Sequence, residues 1–196
     1  MKTVYFIRHG ETLYNAEGKY IGATDLGLTA RGSAEVSKKW SGRGGDIEKD
    51  ILYSSPMKRC LETAAIIFPD DTPVIIDNLR EMNFGIFEGV DYRELERNPV
   101  YKEFIKKRGM VKIPDGESGQ EFGRRVLKGF FKIIKDMEAK GAERAAVICH
   151  GGVIMGLFSV LCNDSSDIYH YHVHNACGYK TVYDKKLKKL KISEKI

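Results

Sequence analysis

The sequence predicts an α/β fold: a three-layer sandwich in which a mostly parallel central sheet is flanked by helices, with a small cap-like insertion at about residues 83–114. Three observations point there. Short apolar, β-branched runs such as "TVYFI", "DILYSS" and "RAAVIC" alternate with segments of helical period. The 196 residues suffice to bury one core without disulfide or metal staples. No repeat, linker or low-complexity segment interrupts them, so residues 1–196 read as a single domain.

The elements follow in order. Thr3 to Ile7 is the first strand. Gly27 to Trp40 carries a helix, with Thr29 as N-cap and Ala30, Ala34 and Val36 opening its apolar face, and glycines 42, 44 and 45 end it. "DILYSS" is the second strand and stops at Pro56. "MKRCLETAAIIF" then forms a helix with that proline in its first turn. "PVIID" gives a short third strand. From Asn78 to Pro114 the pattern loosens into two short amphipathic pieces, Tyr92–Arg97 and Tyr101–Lys107, that read as a lid. The clearest helix lies in "ESGQEFGRRVLKGFFKIIKDMEAKG", where Phe122, Val126, Phe130, Ile133, Ile134 and Met137 recur at near-helical spacing and Gly141 stops it. "RAAVICH" is a buried strand, "GGVIMGLFSVLC" a short apolar helix, and "IYHYHVHNACGYKTVYD" a long alternating strand. The basic tail "DKKLKKLKISEKI" reads as a late strand or short helix with a solvated lysine face.

Composition narrows the function classes. The chain is 42% hydrophobic and 30% charged, and no apolar run approaches the roughly 20 residues of a membrane span. Its amino terminus is already strand, which predicts a cytoplasmic protein without a leader. Cys60, Cys149, Cys162 and Cys177 show no metal-ligand spacing and read as reduced thiols. The net charge of +5 sits largely in the tail and predicts no nucleic-acid partner. Monomer and homodimer are equally open.

Two apolar strands end on histidine and glycine, "VYFIRHG" and "AAVICHGG". Ligands of open α/β sheets bind at the carboxyl ends of strands, so His9 and His150 can share one crevice. Arg8 precedes the first histidine, and Arg59 falls in the first turn of the helix after "ILYSSP". Two arginines and two histidines at one crevice call for an anion, and phosphate matches the arginine fork best.

Extended to "RHGET" with Asn15 seven residues after Arg8, then "SSPMKRCLETA", "LREMNFGIFEG", "PDGES" and "CHGG", this pattern resembles the histidine phosphatase superfamily, in the branch of the phosphoglycerate mutases. The motifs keep the family order from residue 4 to about 182. The resemblance implies a phosphoglycerate mutase-like fold and a nucleophilic His9 that takes the phosphoryl group as phosphohistidine. It also implies that Arg8, Arg59 and His150 grip the phosphate oxygens, that Asn15, Gly22 and Gly151 belong to the phosphate site, and that Glu81 is the proton donor. No cofactor and no metal are implied. These residue types suit that chemistry. A neutral imidazole is a competent nucleophile near pH 7, fixed cations stabilise the transferring phosphoryl group, and a part-buried carboxyl can protonate a leaving alkoxide.

Rival chemistries are weaker. Cys149 is followed by "HGGVIMG", not by the arginine-closed loop of a cysteine phosphatase. "HYHVH" places His170, His172 and His174 on one strand face, but strand neighbours on one face stand about 7 Å apart, too far for ideal shared ligation, so a polar sheet face is expected. No P-loop, GxGxxG or paired-aspartate cluster is present. Within the family, the chain is shorter than the cofactor-dependent mutases, and "NFGIFEG" resembles phosphatases. Together with "IYHYHVHNACGY", it is most similar to α-ribazole phosphatases, so the expected substrate is a small phosphomonoester such as α-ribazole 5′-phosphate. Ile21 stands where many members carry glutamine before Gly22, which removes an amide donor near the phosphate. A phosphoglycerate mutase, or a non-catalytic binding protein on the same fold, are the alternatives. The aromatics Phe84, Phe87, Tyr92, Tyr101 and Phe104 either stack a substrate base or pack the cap.

Overall fold

A computed structural model describes residues 1–41, 46–162 and 167–196. The element order is β1 (Lys2–Arg8), α1 (Leu13–Ala16), α2 (Ala30–Trp40), β2 (Ile51–Ser54), α3 (Lys58–Ile67), β3 (Val74–Ile75), α4 (Tyr92–Leu95), α5 (Pro99–Lys106), α6 (Gly119–Ala139), β4 (Arg144–Cys149), α7 (Gly151–Leu161), β5 (Gly178–Asp184) and β6 (Lys189–Lys195). Short 3₁₀ turns lie at Asp77–Leu79, Gly85–Phe87 and Ile168–Tyr171.

The strands form one six-stranded sheet in the order β3-β2-β4-β1-β5-β6. The β3-β2-β4-β1 part is parallel, and β5 and β6 continue it antiparallel. Alternation along the strands divides the core. Val4 and Phe6 of β1, with Val147 and Cys149 of β4, face α6 and α7. Tyr5 and Ile7, with Ala146 and Ile148, face α2 and α3. Each central strand is therefore apolar on both faces, which is why it reads as a continuous run in the sequence. The three-layer α/β sandwich is the architecture expected.

Local signals explain the helix ends. Thr29 Oγ1 accepts from Gly32 N at 2.8 Å and caps α2. Ser118 and Glu121 form a capping box that starts α6, whose expected apolar residues are all buried, and Gly141 follows its end at φ +67°. The glycines expected to end α2, at 42, 44 and 45, lie outside the described residues.

Three expectations need correction. Pro56 is not in the first turn of α3. That helix starts at Lys58 with Met57 as N-cap, so the proline instead ends the run after β2. "PVIID" pairs over only two residues at the sheet edge. The long strand carrying His170, His172 and His174 does not form. Ile168–Tyr171 is a 3₁₀ turn capped by Asp167, Ala176 has φ +58°, and pairing with β1 begins only at Gly178. A Cβ at Gly178 would stand 2.0 Å from Phe6 O, so β5 can approach β1 only from a glycine. Tyr171 and Val173 are buried while the three histidines are exposed, so the alternation in the sequence is real but is carried by irregular backbone. The tail, open between strand and helix, is β6.

Residues 83–114 hold a 3₁₀ turn and the short helices α4 and α5. Phe84, Phe87 and Tyr101 pack with Tyr20, and Phe104 with Phe87, in tilted and edge-to-face pairs, with centroids 4.9 Å apart for Tyr20–Phe84 and 5.4 Å for Phe87–Tyr101. The hydroxyls of Tyr20 and Tyr101 share a 3.0 Å hydrogen bond. Four of the five aromatics thus fill the core of this segment, and Tyr92 alone is exposed. Cys60, Cys149 and Cys162 are buried, and Cys177 is part-exposed. No helix among the described residues is long and apolar enough to cross a membrane.

Candidate active site

Strand register builds the site. Arg8 of β1 pairs with Cys149 of β4, so the two parallel strands end level and deliver His9 and His150 side by side. Their rings lie 5.2 Å apart. One strand further out, β2 ends at Ser54 and passes through Ser55 to α3, whose first turn carries Arg59 into the same crevice. His9 is 2% exposed, and Arg59 and His150 are fully buried.

His9 Nδ1 lies 2.7 Å from Gly10 O, an oxygen that can only accept, so Nδ1 carries the proton and Nε2 keeps its lone pair. Burial, followed by the charges of Arg8 and Arg59, holds the ring well below its ordinary pKa of 6.5. The imidazole is therefore neutral at pH 7. Asn175 Nδ2 donates to His9 O and Gly10 O, at 3.0 and 3.2 Å, and Gly10 N donates to Thr63 Oγ1 at 3.0 Å, which fixes the turn behind the ring.

Arg8 Nη1 donates to Val173 O at 2.8 Å, but its buried Nε has no hydrogen-bond partner. A buried orphan donor costs about 1–3 kcal/mol, a cost that a bound anion removes. Gly151 backs the guanidinium; a Cβ there would lie 3.4 Å from that same Nε. Arg59 is held more tightly than expected: Nη2 donates to Gly22 O at 2.8 Å, Nη1 to Thr24 O at 2.9 Å and Nε to His150 Nδ1 at 3.3 Å. His150 Nδ1 is thus an acceptor, and Nε2–H donates to Ser55 Oγ at 2.8 Å. Burial and then Arg59 keep this ring neutral as well.

Glu81 is 9% exposed and lies opposite, where its Oε2 accepts from Gly152 N in the first turn of α7 at 3.0 Å and Oε1 from Met82 N at 3.0 Å. These bonds and the nearby arginines lower its pKa, but burial is larger and the net direction is upward. The carboxyl can therefore carry a proton nearer neutrality than an exposed glutamate. Asn15 sits at the rim, where its Oδ1 accepts from Thr12 N and Oγ1 and from Asn175 Nδ2. Gly22 contributes backbone rather than a side chain: a Cβ there would stand 1.8 Å from Met82 O.

The expected site residues are therefore gathered at one crevice, with Arg59 and His150 bonded to each other and to protein partners. The histidines 170, 172 and 174 form no joint site. His170 packs on Tyr171 in the 3₁₀ turn, and His172 and His174 pair with each other, their centroids 5.4 Å apart. Among the described residues no three or more His, Cys, Asp or Glu side chains are grouped to hold a metal ion.

Several supporting groups escaped sequence reasoning. Glu88 accepts from Ala23 N, Thr24 N, Thr24 Oγ1 and Phe84 N, fastening the loop that carries Gly22 to the segment after Glu81. Asp25 accepts from Lys58 N and Glu62 from Leu28 N, tying the same loop to α3. Ser55, Glu88 and Glu117 lie inside the quoted motifs, yet nothing in a single sequence tells a carboxylate that binds distant amides from an exposed one.

Known proteins resemble the chain in sequence and in fold. Residues 4–194 match the family model described as the histidine phosphatase superfamily, branch 1. A metal-independent phosphoserine phosphatase of Arabidopsis thaliana is 30% identical over 169 residues, covering 83% of this chain and 70% of that protein. The adenosylcobalamin/alpha-ribazole phosphatase of Escherichia coli K12 is 28% identical over 179 residues, covering 89% and 86%. The crystal structure of a phosphoglycerate mutase from Bacillus anthracis superposes with a TM-score of 0.82 at 26% identity, covering 98% of this chain and 92% of that one.

Proposed function

The chain belongs to the histidine phosphatase superfamily, and we propose that it hydrolyses a small phosphomonoester through a phosphohistidine formed on His9. The observation that carries this reading is the pairing of a neutral His9, its Nε2 lone pair left free by the Nδ1 bond to Gly10 O, with the orphan donor of Arg8 beside it. The lone pair attacks phosphorus while the bond to the leaving oxygen breaks, and the Glu81 carboxyl gives that oxygen its proton. The carboxylate left behind takes a proton from water as the water oxygen attacks the phosphohistidine. The N–P bond breaks back onto Nε2, inorganic phosphate leaves, and Glu81 is protonated again.

Arg8 meets the phosphate through Nε. Arg59 and His150 reach it by exchanging Gly22 O and Ser55 Oγ for phosphate oxygens, and Asn15 and the start of α7 at Gly151 complete the site. Two fixed arginines supply the positive charge that a metal provides elsewhere, so the reaction is proposed to be metal-independent. The reduced thiols of Cys60, Cys149 and Cys177 support a cytoplasmic setting. Residues 83–114 act as the cap of a single domain and supply the contacts to the alcohol.

α-Ribazole 5′-phosphate is the proposed substrate, supported by the likeness to the Escherichia coli enzyme, with phosphoserine as the comparison that the Arabidopsis relative requires. The test is a turnover panel of ribazole phosphate, phosphoserine, sugar phosphates and phosphoglycerates, combined with phosphoenzyme trapping. An acid-labile, base-stable phosphoenzyme should form in the parent and vanish in His9→Ala. Equal trapping in both would remove His9 as nucleophile, and phosphate release slower than phosphoryl exchange between phosphoglycerates would make the protein a mutase.

A further inference from the structure

Glu81 belongs to no regular element. It lies between the 3₁₀ turns at Asp77–Leu79 and Gly85–Phe87, in backbone that has no ladder to hold it. One side chain of α6 grips that backbone. Arg125 directs Nη1 to Asn78 O at 3.1 Å and to Arg80 O at 2.9 Å, and Nη2 to Glu81 O at 3.1 Å. Its remaining donors form a fork on Glu117, with Nε to Oε1 at 2.9 Å and Nη2 to Oε2 at 2.7 Å. All the N–H donors of a guanidinium are thereby used. Glu117 Oε2 also accepts from Asn83 N at 2.9 Å, so the same ion pair grips the chain on both sides of Glu81. The guanidinium lies over the Phe122 ring, 5.2 Å from its centroid, and both partners are about one-fifth exposed.

We propose that the Arg125–Glu117 pair is a positioning device for the proton donor, setting where the Glu81 carboxyl stands relative to the leaving oxygen without touching substrate. This rests on the reading of Glu81 as the acid. A planar, bidentate fork fixes direction as well as distance, which a lysine ammonium cannot do. General acid catalysis depends steeply on that placement, since a shift of about 1 Å can cost about 100-fold.

The test compares Arg125→Lys and Glu117→Gln, each alone and combined with Glu81→Gln, in single-turnover phosphorylation by an alkyl phosphate and by p-nitrophenyl phosphate. Burst amplitude counts active sites, so a loss of folded protein does not enter the rates. Arg125→Lys should slow the alkyl ester by about 30- to 100-fold and the nitrophenyl ester by less than about 3-fold, because a good leaving group needs little protonation. Its alkaline limb on the alkyl ester should move to lower pH as the slackened carboxyl gains water. Glu117→Gln keeps an oxygen acceptor and should show the same selectivity at about 3- to 10-fold, which preserves the test if the lysine variant does not fold. In the Glu81→Gln background neither change should add a selective loss. Equal loss for both esters, or an undiminished selective loss without Glu81, overturns the proposal while leaving Glu81 as the acid. A Glu81→Gln variant with no leaving-group selectivity overturns that reading itself, and the proposal falls with it.

Discussion

Replacing Gly152 with alanine displaces the proposed acid without altering it. A Cβ at this position would stand 2.4 Å from Glu81 Oε1, 3.1 Å from its carboxyl carbon and 3.2 Å from Oε2. Ordinary contact begins near 3.4 Å, so the carboxyl must withdraw by about 1 Å and lose the 3.0 Å bond from Gly152 N. A displacement of that size costs about 100-fold in a positioned reaction. The effect on stability is smaller because two terms oppose. Overpacking costs about 1–3 kcal/mol, and alanine favours a helical position over glycine by about 1 kcal/mol. The melting temperature should therefore fall by less than about 8 °C, at about 2–4 °C per kcal/mol for a domain of this size. The assay is the single-turnover burst on an alkyl phosphate at neutral pH, with p-nitrophenyl phosphate as the ester that needs little acid. An alkyl burst rate within about 3-fold of the parent would show that the Glu81–Gly152 contact does not govern the chemistry.

Other expectations follow from the same geometry. Glu81→Gln should slow phosphorylation by alkyl phosphates by about 100- to 10,000-fold and by p-nitrophenyl phosphate far less, and equal losses on the burst would assign Glu81 to phosphate positioning. His9 and His150 are held neutral, with pKa values well below 6.5, so the unfolded chain takes up protons that the folded site refuses. Their contribution to stability is complete above that pH and is lost as pH falls below it, by about 1.4 kcal/mol per pH unit for each ring until its folded pKa is reached. Urea midpoints between pH 6 and pH 5 should show that slope, and His9→Gln should reduce it by the share of one ring; an unchanged slope would mean that His9 titrates normally. Chelation should leave turnover unaltered, and activity lost in EDTA and restored by one divalent ion would refute the metal-independent reading.

What the sequence disclosed and what it hid divide along a physical line. Strands buried on both faces announce themselves as apolar runs, and a charged residue at the end of such a run marks the rim of the sheet. That is why Arg8, His9 and His150 were legible, together with Arg59 in the first turn of α3. Glu81 was legible only through the motif around it, because it lies in irregular backbone with no periodicity. "HYHVH" misled because side-chain alternation records burial, not hydrogen bonding: Tyr171 and Val173 do turn inward, but the chain there is a 3₁₀ turn and loop. Glu88, Glu117 and Arg125 stayed hidden for another reason. Each satisfies backbone groups that are distant or irregular in placement, such as Ala23 N for Glu88 and Asn78 O for Arg125, and one sequence carries no signal for such a pairing.

One cause acts on two protonation equilibria in this crevice. Burial raises the pKa of Glu81, toward the protonated acid, and lowers that of His9, keeping a proton off the nucleophile. The arginines assist only the second, since their charge lowers both groups. Any change that admits water therefore moves both groups toward the wrong form at once, Glu81 toward carboxylate and His9 toward imidazolium. The contacts that keep the crevice closed are then part of the acid–base chemistry as well as of the fold. They include Gly152 against Glu81, Gly22 against Met82 O, and the Glu88 carboxylate across the loop amides. A variant that loosens one of them should narrow the pH range of activity from both sides, raising the acid limb set by His9 and lowering the alkaline limb set by Glu81, whereas a variant that only weakens phosphate binding should leave both limbs in place.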